Sequence, residues 1–308
     1  MTAPNIETVA VKTPYWDIAA NIQFPPDFDA SKKYPAIIAA HPIGSCKEQT
    51  AGNIYGKALA EAGYVVIAFD ASYQGESGGE PRFTEDPWQR VADFSHVVDF
   101  LLTVPYVDAD RIGVIGVCGG GGYSIAAAKT ERRIKAVASI TGVNFGNLLN
   151  EAFSAYDPVA TLEAISAQRS AEVLGAEAEV QNLLPPTVED AKGANIDVEE
   201  ATEYYKTDRG QAPGGTTCSL VSRRASGYGW DAFLNVEKLL TQPLIVVIGD
   251  KPGAFGAYRD GLEVYRRAAS TKKELVVAEG FSHYDLYDQP EPVKIALDRV
   301  IPFFAANL

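Results

Sequence analysis

Arg111-Ile112-Gly113-Val114-Ile115-Gly116-Val117-Cys118-Gly119-Gly120-Gly121-Gly122-Tyr123-Ser124-Ile125-Ala126-Ala127-Ala128-Lys129 joins an apolar run, a glycine-dense turn and a helix-forming run without a break. The spacing predicts a buried strand, a turn too tight for side chains, and a helix. Glycines around the apex permit positive φ and let strand and helix backbones approach closely. The one reactive side chain there, Cys118, would stand above the sheet. The pattern is that of a nucleophile elbow, G-x-S-x-G, with cysteine in place of serine. A thiol in the first turn of a helix also feels the positive end of the macrodipole, which favours thiolate. A phosphate cradle is the competing use of such a turn. Against it, the stretch holds neither G-x-x-x-x-G-K-[ST] nor a clean G-x-G-x-x-G opening. A dinucleotide fingerprint would also open the first βαβ unit, whereas at least four strand candidates precede this turn.

Outward from the elbow, the flanking sequence alternates strand and helix signals. Before it, residues 8–13 and 16–24 alternate like edge strands. Tyr34–Ala40 and Tyr64–Phe69 are continuous apolar runs suited to a sheet covered on both faces. Helices are expected over about 49–62 and 87–103. After the elbow come a strand at Ile134–Ile140, then strands at Pro243–Ile248 and Lys273–Ala278, with helices over about 258–269 and 291–306. The stretch between residues 141 and 242 lacks buried-strand runs and is rich in Ala, Glu and Gln. It is expected to be a helical lid. The expectation is an α/β fold with an eight-stranded, mostly parallel sheet and helices on both faces. Its core would be 1–143 and 241–308, and its lid 144–240.

The chain of 308 residues carries a formal net charge of −13, which argues against nucleic acid or an anionic membrane surface as partner. Three cysteines, Cys46, Cys118 and Cys218, make no disulfide framework and suit a reducing compartment. The N-terminal residues lack the basic and apolar regions of a secretory signal, and no apolar run is long enough to span a bilayer. A cytoplasmic protein is expected, acting on a small molecule and needing no cofactor or metal; a homodimer is compatible with the sequence.

In an open α/β sheet the loops at the carboxyl ends of the strands gather at one crevice. Three of them carry a nucleophile, an acid and a base in that order: Cys118, Asp250 and His283. The imidazole would take the thiol proton and return it to the leaving group. Asp250, directly after Gly249, is the carboxylate nearest its strand end, with Asp260 and Asp285 as substitutes. An oxyanion hole needs two donors. Gly119 N–H is one, and since Pro42 has no N–H, Ile43 is the choice for the other. His41 and Gly44 flank that donor, and Tyr73, Glu76, Tyr228 and Trp230 are candidates to line the substrate pocket. His96, in mid-helix, is expected to be structural, and Cys46 and Cys218 bystanders.

The loop His41-Pro42-Ile43-Gly44, the stretch from Phe69 to Gly79, the Gly-Val-Cys-Gly-Gly-Gly-Gly-Tyr elbow and Ser282-His283-Tyr284-Asp285-Leu286-Tyr287-Asp288 together resemble bacterial α/β-hydrolases of the dienelactone-hydrolase-like branch. The resemblance covers nearly the whole chain apart from the lid. It implies a Cys-His-Asp triad of Cys118, His283 and Asp250, and hydrolysis of a small carboxylic ester, lactone or thioester through an acyl-cysteine. An acyltransferase with the same nucleophile, or a non-catalytic binding or redox-sensing protein of the same fold, are the alternatives.

Overall fold

The computed structural model describes residues 6–308. Ten strands follow in chain order: β1 (Ile6–Lys12), β2 (Asp17–Gln23), β3 (Tyr34–Ala40), β4 (Val65–Phe69), β5 (Val107–Val117), β6 (Ile134–Ile140), β7 (Val180–Asn182), β8 (Cys218–Leu220), β9 (Leu244–Gly249) and β10 (Lys273–Ala278). Eight of them form one sheet in the order β1-β2-β4-β3-β5-β6-β9-β10, parallel from β4 to β10, with β1 and β2 antiparallel at one edge. The apolar runs become its centre: all of β4 and β9 is buried, as β-branched residues covered on both faces should be. The antiparallel pair alternates instead, in keeping with an edge exposed to water on one side.

The strand order fixes where a site can form. From β3 the chain crosses to β4 on one side, whereas from β5 it crosses to β6 on the other. The loops after β3 and β5 therefore part from neighbouring strands and leave a crevice at their carboxyl ends. Right-handed crossovers put the 50–61 helical segment on one face and helices Pro87–Thr103 and Gly119–Thr130 on the other. The first of these opens as a wider π turn over Thr50–Gly56 before Lys57–Glu61 becomes α-helical, where the sequence suggested one plain helix. Among the described residues no helix is long and apolar enough to cross a membrane.

Residues 145–240 leave the sheet after β6 and return to it at β9. The insertion is more than helical: β7 and β8 make an antiparallel ribbon, three residues each, beside helices Pro158–Val173 and Ile196–Lys206. It is fastened to the loops at the strand ends. Gly44 O accepts the Thr217 N–H at 2.9 Å, and Phe83 O accepts the Leu220 N–H at 2.8 Å. Arg209 donates to Asp288 at 2.8 Å and to Tyr284 O at 2.9 Å.

Candidate active site

Cys118 is the apex of the turn between β5 and the Gly119–Thr130 helix, with φ 54° and ψ −123°. A non-glycine residue there is strained, and the surroundings hold it. Its N–H donates to Ile140 O at 3.0 Å, and its carbonyl accepts the N–H groups of Gly121 at 2.9 Å and Val143 at 3.0 Å. Glycine is obligatory on either side. A Cβ on Gly116 would lie 2.1 Å from Gly120 O, and one on Gly120 would lie 2.2 Å from Ala40 O. The elbow thus presses the helix against β3 and the loop that follows it.

The Ile43 backbone lies against the elbow, its N 3.3 Å from where a Cβ on Gly119 would fall, and Cys118, Ile43 and Tyr287 wall one recess. The Gly119 and Ile43 amides and the Tyr287 hydroxyl are the groups that favour a thiolate at Cys118. The two donors expected to face a developing oxyanion are therefore neighbours at the elbow. The thiol is not a thiolate, however. Burial pushes it from the ordinary 9.0 up to about 11, despite those three stabilising groups. The rise amounts to about 3 kcal/mol. A helix terminus offers roughly 0.3–1 kcal/mol, so desolvation wins.

His283 lies in the turn after β10 and is 5 % exposed. Its Nδ1 is 2.8 Å from Thr141 Oγ1, at the end of β6, and its Nε2 is 3.3 Å from the Tyr287 hydroxyl. With the proton on Nδ1, the ring donates to Thr141 and Nε2 accepts from Tyr287. Tyr287 also lines the recess beside the thiol and favours its ionised form, so the phenol adjoins both imidazole and thiol. Burial pushes His283 from 6.5 down to about 3, so the ring is neutral.

The acid needs correction. Asp250 is exposed, and its Oδ1 accepts the Gly280 N–H at 2.6 Å. It pins the turn that carries His283 without bonding either ring nitrogen. Asp260 is given to Asn144 N at 2.8 Å and to Arg259, and Asp285 accepts the Ser282 N–H at 2.8 Å. Thr141 stands where a carboxylate was expected.

Several pocket expectations are also corrected. His41 is fully enclosed: Nε2 accepts the Ala71 N–H at 3.0 Å, Nδ1 meets Pro42 O at 2.7 Å, and Arg90 lies against both ring and carbonyl. No ring nitrogen is left for a substrate. Burial and the Arg90 charge hold it well below the usual histidine range, so it is a neutral brace for the loop before Ile43. Glu76 is exposed and pairs with the buried ammonium of Lys47 at 2.7 Å, which also meets Asp70 at 3.0 Å. Tyr73 packs on Trp16, centroids 5.1 Å apart, and Trp230 packs on Tyr123 at 5.2 Å. Gly44, with φ 67°, meets the insertion at Thr217, too close for a Cβ.

Tyr228 does line a cavity. A recess of about 30 Å³ beside Cys118 is walled by Ile43, Leu148, Phe255 and Tyr284, among others. It shares Ile43, Phe153 and Leu183 with a larger space of about 290 Å³ that reaches Glu85, Arg224 and Tyr228. Most of the recess is apolar and much of it belongs to the insertion.

Sequence reasoning missed Tyr287. Tyr287→Phe is expected to remove the hydroxyl's bond to His283 and its support of the thiolate while keeping the ring's packing against Tyr204 and Tyr284. Losing that support should raise the Cys118 thiol further. Alkylation of Cys118 by iodoacetamide at pH 8 should slow by about tenfold, about one power of ten per pKa unit, as followed by peptide mass spectrometry.

A strained elbow, two neighbouring amides and a buried histidine at the carboxyl ends of an eight-stranded sheet make this an α/β-hydrolase. Residues 16–176 match the family described as X-Pro dipeptidyl-peptidase (S15 family), and the chain belongs to that family. Two relatives match along nearly the whole chain. It is 41% identical over 302 residues to the uncharacterized protein YcjY of Escherichia coli, covering 96% of each chain. It is 33% identical over 306 residues to the uncharacterized protein PA2218 of Pseudomonas aeruginosa, covering 94% of this chain and 77% of that one. The crystal structure of PA2218 superposes with a TM-score of 0.90 over 100% of this chain and 95% of that one. A shorter match, 33% identity over 109 residues and 34% of this chain, is to the thiohydrolase aneE of Aspergillus aculeatus, covering 33% of it. The chain is thus a hydrolase of the α/β-hydrolase type.

Proposed function

We propose that the protein cleaves a small carboxylic ester, lactone or thioester through an acyl-cysteine formed on Cys118. The observation that carries this is the strained Cys118 elbow with the Gly119 and Ile43 backbones side by side at it, in one recess with Tyr287, which bonds His283. An acyl carbonyl oxygen would accept from the two amides. The thiol proton passes to Nε2 as sulfur bonds the carbonyl carbon, and the negative charge settles on the oxygen between the two donors. Collapse expels the alkoxide or thiolate, which takes the proton back from His283. Water, deprotonated by the same nitrogen, then releases the acid and frees the thiol.

A thioester or activated ester suits a thiol nucleophile better than a peptide. From a tetrahedral intermediate the Cys118 thiolate leaves more readily than an amine, so amide attack would mostly revert. A peptide's terminal ammonium would also need a free carboxylate. The acid lining the larger cavity, Glu85, is spent on Arg90 at 3.2 Å and the Tyr123 hydroxyl at 2.8 Å. The local likeness to a thiohydrolase points the same way.

The test offers short p-nitrophenyl esters, an acyl thioester and an X-Pro peptide anilide, with intact-mass spectrometry beside release kinetics. Ester or thioester turnover with an acyl adduct mapping to Cys118 is expected, and little anilide cleavage. Anilide cleavage outpacing both would overturn the reading in favour of a peptidase.

A further inference from the structure

His283 as a base faces a deficit that Thr141 and Tyr287 cannot repair. Both partners are neutral hydroxyls, and neither offsets the charge of an imidazolium. Such a cation in a buried site needs a counter-charge. The expected source, the loop after β9, holds Asp250 out in solvent. A carboxylate nonetheless arrives from the opposite direction.

Asp197, in the first turn of the insertion helix Ile196–Lys206, is 2 % exposed. Its Oδ2 accepts the Phe255 N–H at 2.6 Å. A Cβ on Gly253 would lie 2.1 Å from the same oxygen, so the loop after β9 folds around this carboxylate. Asp197, Thr141 and His283 all face one small cavity of about 10 Å³, together with Lys251 and Tyr258. That is about the least volume that holds a single water. The carboxylate has no lysine or arginine partner among the described residues; its one stabilising contact is the Phe255 amide. A buried carboxylate without a cation is costly, and the cation available to it is a protonated His283.

We infer that Asp197, supplied by the insertion, is the positioning residue for His283, acting through Thr141 and the small cavity between them. No proton reaches the carboxylate. Nε2 takes the thiol proton, Nδ1–H stays on Thr141, and Asp197 offsets the resulting positive charge. The other groups facing the imidazole are Tyr287, Tyr284 and, through Tyr287, Cys118; Lys251 and Tyr258 close the cavity, and Glu200 lies one turn along the Asp197 helix, bonded towards Ser282. The base would then be armed only when the insertion is seated on the sheet.

The inference rests on Cys118 and His283 being nucleophile and base, and its test needs no acyl substrate. The rate of Cys118 alkylation by iodoacetamide is measured from pH 6 to 10, with peptide mapping to exclude Cys46 and Cys218. Asp197→Asn keeps an acceptor for the Phe255 N–H but removes the charge. The Asp197 charge also holds the Cys118 thiol up, so direct thiolate alkylation at pH 9–10 should be no slower in this variant, whereas the reaction at pH 6–7, which needs His283 as base, should slow by about tenfold. Asp250→Asn and Glu200→Gln should follow the wild type. Should Asp197→Asn fail to fold, Thr141→Val, which removes the hydroxyl on Nδ1 and leaves the insertion untouched, should show the same slowing at neutral pH. No slowing at neutral pH, an equal slowing at every pH, or a slowing at neutral pH in Asp250→Asn would overturn the role of Asp197 alone. A wild-type Cys118 that resists alkylation up to pH 10 would sink the nucleophile reading and this inference with it.

Discussion

Cys118→Ala should abolish acyl turnover, with kcat/KM falling by about 10⁴-fold or more. What remains would be the oxyanion donors and the recess, which bind but cannot form the covalent intermediate. Cys118→Ser is the sharper version. In many α/β-hydrolases serine would serve, because a charged partner raises the basicity of the histidine. Here His283 is pushed down to about 3 while the thiol stands near 11. Proton transfer between them is uphill in the resting site, offset only by the attraction of the ion pair it creates. An alcohol, less acidic than a thiol, would widen that gap. The serine variant should therefore fall close to alanine, and no acyl adduct should be detected on either by mass spectrometry. A serine variant retaining a tenth of wild-type activity would show that the nucleophile's acidity is not what the site depends on. The same assay, run with added alcohol, amine and thiol acceptors, separates hydrolysis from acyl transfer by the product formed.

His283→Gln has two expected consequences, one kinetic and one thermodynamic. Loss of the base should slow turnover by about 10²–10⁴-fold. Activated acyl groups should still load Cys118 slowly at high pH and then stay there, since deacylation also needs Nε2. The thermodynamic effect follows from burial. The folded protein holds His283 neutral down to about pH 3, whereas an unfolded histidine takes up its proton near 6.5. Between those values the unfolded chain binds more protons, so stability rises with pH across the window and is lost as pH falls through it. The slope is at most about 1.4 kcal/mol per pH unit, or about 5 kcal/mol over the whole range. Glutamine does not titrate. Urea denaturation from pH 7 to 3 should therefore show the stability difference between variant and wild type shifting steadily in the variant's favour. His41 is present in both proteins and cancels in that difference. A difference independent of pH would mean that His283 titrates normally in the fold.

The sheet could be read from sequence because its strands carry their own signal. β4 and β9 are apolar throughout and β3 and β6 nearly so, which only a layer covered on both faces tolerates. The elbow was legible for a related reason: few other uses explain glycines on both sides of one cysteine between a strand and a helix. The acid was not. A carboxylate beside a strand end looks the same whether it turns inward or caps the next turn, and Asp250 turns outward to Gly280. Asp197 carries no mark at all, sitting in a polar helix of an insertion whose placement depends on long-range contacts. The β7–β8 ribbon is too short for its alternation to register. Tyr287 lay inside a quoted motif, but its part depends on a bond to His283 that spacing alone does not reveal.

The insertion between β6 and β9 also sets a clock. β6 pairs with β5 on one edge and with β9 on the other, and roughly a hundred residues separate it from that second partner. At a synthesis rate of about 5–20 residues per second, the ribosome takes roughly 5–20 s to deliver β9 after β6. For that interval a largely apolar strand has one open edge and nothing of this chain to close it. The nascent protein is most exposed to wrong pairing during those seconds, before its last two parallel strands exist.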